Sequence, residues 1–254
     1  MEIELDYGMS AQDNANAYYT RAKRLLQKKE GAQKAIEGMK ERLAGESVAE
    51  APRRKIVVKR RQEWYEKFNW FFTSGGKLVI GGRDAQQNEM VNSRHFEDGD
   101  LFFHADIHGA SVTIMKEGAS SEQVDREEAA QFAASFSRGW QEGLRSVDVY
   151  CMRREQVSKS TGKGSLGTGS FLMSGEREWY RNVPLALACG VKESVFRMVP
   201  DRAANTLLPG KLLRLSQGER KKSDAAKLIS RLLEYDDVDY VMQHMPNGNF
   251  NITE

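Results

Sequence analysis

Nine residues near the middle of the chain, Asp100 to His108, set the strongest constraint on how it can fold. Extended backbone turns successive side chains to opposite faces. Leu101, Phe103, Ala105 and Ile107 then share one face, and Asp100, Phe102, His104, Asp106 and His108 share the other. The spacing predicts a strand with one buried side and one side presenting two imidazoles and two carboxylates. Such a strand needs a sheet around it, and the chain offers neighbours: the apolar runs 68–72 and 78–80, the second leading directly into Gly81-Gly82-Arg83-Asp84.

Apolar runs bounded by turn residues predict strands at 70–72, 77–80, 101–107, 112–115, 147–152, 171–173, 185–188 and 195–198. Helices are predicted over 85–95 and over 121–139, the latter with Val124, Ala129, Phe132, Ala133 and Phe136 on one side. Ser216 is placed to cap a helix running to Leu233, and 238–244 forms a last short helix before a polar tail. The expected class is α+β, a mixed or antiparallel sheet flanked by helices, with a long N-terminal coiled-coil helix in front. Residues 1–8 alternate as a short strand, and Ser10 with Asp13 three positions on marks a helix start. From Ala15 onward Tyr18, Ala22, Leu25, Lys29, Ala32, Ile36, Met39 and Leu43 recur at three and four, a coiled-coil seam with one Lys interruption. That arm calls for a helix partner, a second copy or another polypeptide; a solitary charged helix is the alternative. Residues 45–52, mixed Gly, Ser, Ala and Pro, form a linker. The expected domains are therefore 1–52, helix and linker, and 53–254.

The formal charge of +2 conceals a cluster: Arg53, Arg54, Lys55, Lys59, Arg60 and Arg61 fall within nine residues. Trp64 and Tyr65 adjoin them, and aromatics beside cations suit stacking on looped RNA. Gly162-Lys163-Gly164-Ser165-Leu166-Gly167 has the letters of a dinucleotide fingerprint, but an apolar run follows where a helix must open. No nucleotide cofactor is expected. The loop 158–170 offers N–H groups, hydroxyls, Lys159 and Lys163 to phosphate oxygens, or is an ordinary hairpin. His104, Asp106 and His108 are metal-capable, but same-face residues lie about 6.6 to 6.8 Å apart, which separates the outer imidazoles by roughly 13 Å. A hydrogen-bonded cluster is favoured over a metal, with Asp106 paired to Arg83 or to a histidine. Arg83 and Asp84 either contact RNA or form an ion pair that fixes the turn. Two isolated cysteines, Cys151 and Cys189, fit a reducing cytosol. No apolar run approaches the roughly 20 residues of a membrane span, and Glu2, Glu4 and Asp6 are unlike a signal peptide. A soluble, cytoplasmic protein is expected.

Trp64-Tyr65-Glu66-Lys67-Phe68 with Trp70-Phe71, Gly81-Gly82-Arg83-Asp84-Ala85, His104-Ala105-Asp106 with His108-Gly109, Gln156-Val157-Ser158-Lys159 and Thr168-Gly169-Ser170-Phe171 together resemble the NFACT-R domain. Residues 14–32 are similar to the end of the coiled-coil region that precedes that domain. Full-length NFACT proteins act in ribosome-associated quality control; they bind the large ribosomal subunit carrying a stalled peptidyl-tRNA, and several recruit tRNA to extend the stalled chain. The family's amino-terminal domain has no counterpart in this sequence, so chain extension is not expected to carry over. The resemblance implies an RNA-binding module that docks on the large ribosomal subunit or on tRNA during rescue of stalled translation. The candidate contacts are Arg53, Arg54, Lys55, Lys59, Arg60, Arg61, Trp64, Tyr65, Arg83, Asp84, His104, Asp106, His108, Lys159 and Lys163. No catalytic residue, cofactor or metal is assigned. Two other readings stay open. One is an enzyme or accessory factor of tRNA modification, with Cys151 or Cys189 as sulfur carrier and His104 or Asp106 as acid or base. The other is an assembly protein whose arm, 18–43, recruits a partner.

Overall fold

The computed structural model describes residues 5–8, 10–45, 62–161 and 164–254. The chain divides into two units, Met1–Arg61 and Gln62–Glu254. The first contains the long helix α1 (Ala11–Gly45). It starts where the sequence places it: Ser10 Oγ accepts from Asp13 N at 3.2 Å and donates to the Asp13 carboxylate at 2.6 Å, satisfying an N–H that has no partner within the helix. Residues 5–8 form a turn rather than the expected strand, whose first four residues lie outside the described ones. Asn14 holds that turn to the helix, accepting from Asp6 N and donating to Asp6 O, both at 2.9 Å. Leu25 and Ile36, two seam residues, are more than half exposed on the single chain.

The second unit runs β1 (Asn69–Phe72), β2 (Leu78–Gly81), α2 (Ala85–His95), β3 (Leu101–Ala105), β4 (Thr113–Met115), α3 (Gln123–Ser135), α4 (Arg138–Gln141) and β5 (Ser146–Arg153). Four two-residue strands follow, β6 (Val157–Ser158), β7 (Ser160–Thr161), β8 (Gly164–Ser165) and β9 (Leu172–Met173), with β6 paired to β9 and β7 to β8. Then come β10 (Glu178–Pro184), β11 (Leu187–Lys192), β12 (Val195–Pro200), α5 (Ala204–Leu207), β13 (Leu212–Lys221), α6 (Lys222–Leu232), α7 (Val238–Gln243) and β14 (Asn249–Thr253). The described pairings are antiparallel and build two principal sheets, ordered β1-β2-β4-β3-β5-β10 and β12-β11-β13-β14. The class is α+β, as the patterning indicates.

Period-two alternation sorts the larger sheet into two apolar faces rather than one. Phe71, Val79, Leu101, Phe103, Ala105, Met115, Val149 and Cys151 join α3 and the smaller sheet in one core. Trp70, Ile80, Phe102, Ile114, Tyr150 and Met152 point the other way into a second, with Val91 of α2. Phe102 and Phe103, adjacent in sequence, are both fully buried. The expected polar face along 100–108 therefore does not form. Asp100 precedes β3, buried, with its carboxylate accepting from Glu97 N and Glu117 N and ion-paired to Lys116. The strand stops at Ala105, and Asp106 to Gly109 turn away, with Gly109 at φ 75°.

Two further expectations give way. Ser216 does not cap a helix: it sits inside β13, where Leu213 and Leu215 alternate into the core, and the helix starts at Lys222. The polar tail is β14, which pairs with β13 and buries Phe250 against Trp140. Val124, grouped with Ala129, Phe132, Ala133 and Phe136 on one side of the helix expected over 121–139, is 58% exposed, whereas Ala129, Phe132 and Ala133 are buried.

Candidate nucleic-acid interface

The turn after β2 is built by close approach. A Cβ on Gly82 would stand 2.2 Å from Asn88 Oδ1 and 2.7 Å from Asn88 N, so the backbone lies against the first turn of α2 only because residue 82 has no side chain. Asn88 Oδ1 in turn accepts from Val112 N at 3.1 Å, and Ser111 Oγ donates to Gly82 O. Asp84 caps α2, accepting from Gln87 N at 2.8 Å. It forms no ion pair with Arg83, whose Nη2 donates to Phe68 O at 2.9 Å and whose Nε donates to Asn69 Oδ1 at 3.3 Å. Arg83 does not meet Asp106 either; Asp106 is exposed. Around this turn lies a cleft of about 710 Å³, lined among others by Arg83, Asp84, His108, Arg138 and Lys222. Its cations outnumber its carboxylates, which suits a polyanion.

Residues 67–175 match the family model described as the NFACT protein RNA binding domain. The chain is 35% identical over 208 residues to the archaeal Rqc2 homolog aRqcH of Methanocaldococcus jannaschii, an alignment covering 79% of this chain and 31% of that protein. It is 34% identical over 193 residues to the ribosome quality control complex subunit NEMF homolog of Drosophila melanogaster, covering 73% of this chain and 19% of that protein. The chain belongs to the NFACT family. It spans less than a third of these relatives' length.

Within this NFACT-R domain the structure unites some of the expected residues and separates others. Arg83, Asp84 and His108 line one cleft with Thr168 and Gly169. His104 lies elsewhere, stacked on Phe102 at 6.0 Å between ring centres, with Nδ1 3.3 Å from Tyr150 Oη. Burial holds its pKa below the usual histidine range. Trp64 is 45% exposed and stacks on His95 at 4.5 Å, while Tyr65 packs edge-on to Phe72 and tilted on Trp70. Lys159 is not the free loop cation expected: its ammonium is ion-paired to Glu89 and donates to Gly167 O at 2.8 Å and Ser170 O at 3.2 Å. Gly169 N donates to the same Glu89 carboxylate, so the loop is clasped to α2. The lysine's hydrogen bond holds the Glu89 pKa below the usual range. Arg53, Arg54, Lys55, Lys59, Arg60, Arg61 and Lys163 lie outside the described residues.

Sequence reasoning missed Lys222 and Arg138. The expected helix from Ser216 to Leu233 puts Lys222 in its interior, whereas it is the first residue of α6 and enters the cleft from a distant part of the chain. Burial, then the nearby Arg83 charge, lowers its pKa to about 8. A second set was also missed: Arg181 lies 4.0 Å over the Trp179 ring and Arg177 4.5 Å over Tyr150, on and beside the edge strand β10. The two cysteines are buried, and burial pushes Cys151 up to about 12 and Cys189 up as well. Neither has the lowered pKa and access that a sulfur carrier needs.

Proposed function

We propose that the chain is an RNA-binding module acting in the cytoplasm, docking on the large ribosomal subunit or on tRNA during rescue of stalled ribosomes. The observation that carries this reading is the convergence of Arg83, His108 and Arg138, all within the segment matching the RNA-binding model, on one cation-rich cleft. The names of the relatives, ribosome quality control subunits among them, support the ribosomal context. Cleft cations neutralise phosphates, and the basic run 53–61 adds to them. The arm α1 pairs with a second helix, from another copy or a separate polypeptide, because an isolated helix takes little stability from its own hydrogen bonds. Co-sedimentation with purified large ribosomal subunits, with and without bound tRNA, tests the reading. Pelleting of the chain at moderate salt, increased by bound tRNA, is expected; a chain that stays in the supernatant in both conditions overturns it.

A further inference from the structure

Two cations line the cleft with donors to spare. The Nη2 and Nε groups of Arg83 hold the Phe68 carbonyl and Asn69, which leaves both N–H groups of Nη1 without an acceptor among the described residues. Its Nη2 also lies 3.3 Å from His244 Nε2. Because His244 Nδ1 is 2.7 Å from the Tyr240 carbonyl, Nδ1 carries the proton and Nε2 accepts from Arg83. Lys222 Nζ donates to Asn247 Oδ1 at 3.2 Å and keeps two further N–H donors. Among the described residues neither cation is ion-paired. Of the nearby carboxylates, Asp84 caps α2 and still favours the Arg83 charge without pairing to it, so the cleft holds one counter-charge against its cations, while Glu66 takes the Tyr240 hydroxyl and Glu142 is paired with Arg138. The buried His244 is held neutral, its pKa lowered to about 4, and offers no counter-charge.

Two like charges kept together in a partly buried site raise the free energy of the empty cleft. An oxyanion removes that cost and takes up the unused donors. Arginine presents a planar fork matched to phosphate oxygens, and lysine a compact point charge. We infer that the cleft holds one phosphate group between Arg83 Nη1 and Lys222 Nζ, supplied by a polynucleotide backbone. A cleft of about 710 Å³ has room for the phosphate and part of its nucleotide. The inference rests on the RNA reading for the source of the phosphate, not for the clamp.

Amide NMR of the full chain titrated with inorganic phosphate, at constant ionic strength set with chloride, tests the clamp. Saturable shifts at Gly82, Arg83, Asp84 and Gly109 are expected. Lys222→Met weakens them by about 10- to 100-fold, the value of one charge-assisted hydrogen bond, and Lys222→Arg restores them. Tryptophan fluorescence confirms that both variants fold. A parallel titration with tRNA identifies the source. If Lys222→Met weakens tRNA and inorganic phosphate alike, the clamp and its backbone ligand both stand. If it weakens inorganic phosphate and leaves tRNA untouched, the backbone assignment is overturned. If phosphate gives no saturable shift, or shifts Lys222→Met equally, the clamp is overturned, while ribosome co-sedimentation judges the RNA reading separately.

Discussion

Phe102→Ala probes the second core most sharply, because strand alternation alone places residue 102 on a polar face. Its side chain is fully buried, tilted on Phe96 at 6.0 Å and stacked on His104 at 6.0 Å, with Ile114 and Met152 as its register partners in β4 and β5. An aromatic ring removes roughly 150 Å² from water, which at about 25 cal/mol per Å² is near 4 kcal/mol. The cavity left behind keeps the expected loss at about 3 to 5 kcal/mol. Phe103→Ala, facing the other core, should cost the same. All four tryptophans, Trp64, Trp70, Trp140 and Trp179, belong to the second unit, so tryptophan fluorescence in urea follows that unit alone. With a slope of about 2 to 3 kcal/mol per molar, each variant should lower the midpoint by about 1 to 2 M. A Phe102→Ala loss below about 1 kcal/mol beside a full loss for Phe103→Ala would refute the two-core packing.

Gly82→Ala should destabilise by about 1 to 3 kcal/mol, since its Cβ meets Asn88 Oδ1 at 2.2 Å and backbone N at 2.7 Å; urea unfolding measures it. His244 is neutral when folded, with its pKa lowered from 6.5 to about 4, chiefly by burial. The unfolded state therefore binds more protons between those values, and stability falls as pH drops from about 6.5 to 4, by up to about 3 kcal/mol. His244→Gln should flatten that part of the stability profile. Cys151 and Cys189 should stay unlabelled by an aromatic disulfide reagent at pH 8 until the protein unfolds; labelling within minutes would revive the sulfur-carrier reading.

What the sequence discloses here is what is decided locally. The Ser10 cap, the bounds of α2 and the alternation of Leu101, Phe103 and Ala105 depend on neighbours a few residues away, and the structure reproduces them. Phe102 was misread because one strand cannot show that a second layer covers its other face. Ser216 was misread because Leu213 and Leu215 become strand residues only when β11 and β14 pair on either side. The same non-locality hid the cleft: Gly82, Arg83 and His108 are visible as motifs, but Lys222 reaches them only through the turn from β13 into α6. Lys159 shows the reverse error, a cation in a polar loop whose donors Glu89 and two carbonyls already occupy.

The salt dependence of tRNA affinity tests the central claim most directly. It is measured for the unaltered chain and for Lys222→Met, at several salt concentrations. One lost phosphate contact should flatten the log–log slope by about 0.7 to 0.9, with little change in sequence preference. An affinity and slope identical to those of the unaltered chain would contradict the account and place the RNA surface elsewhere.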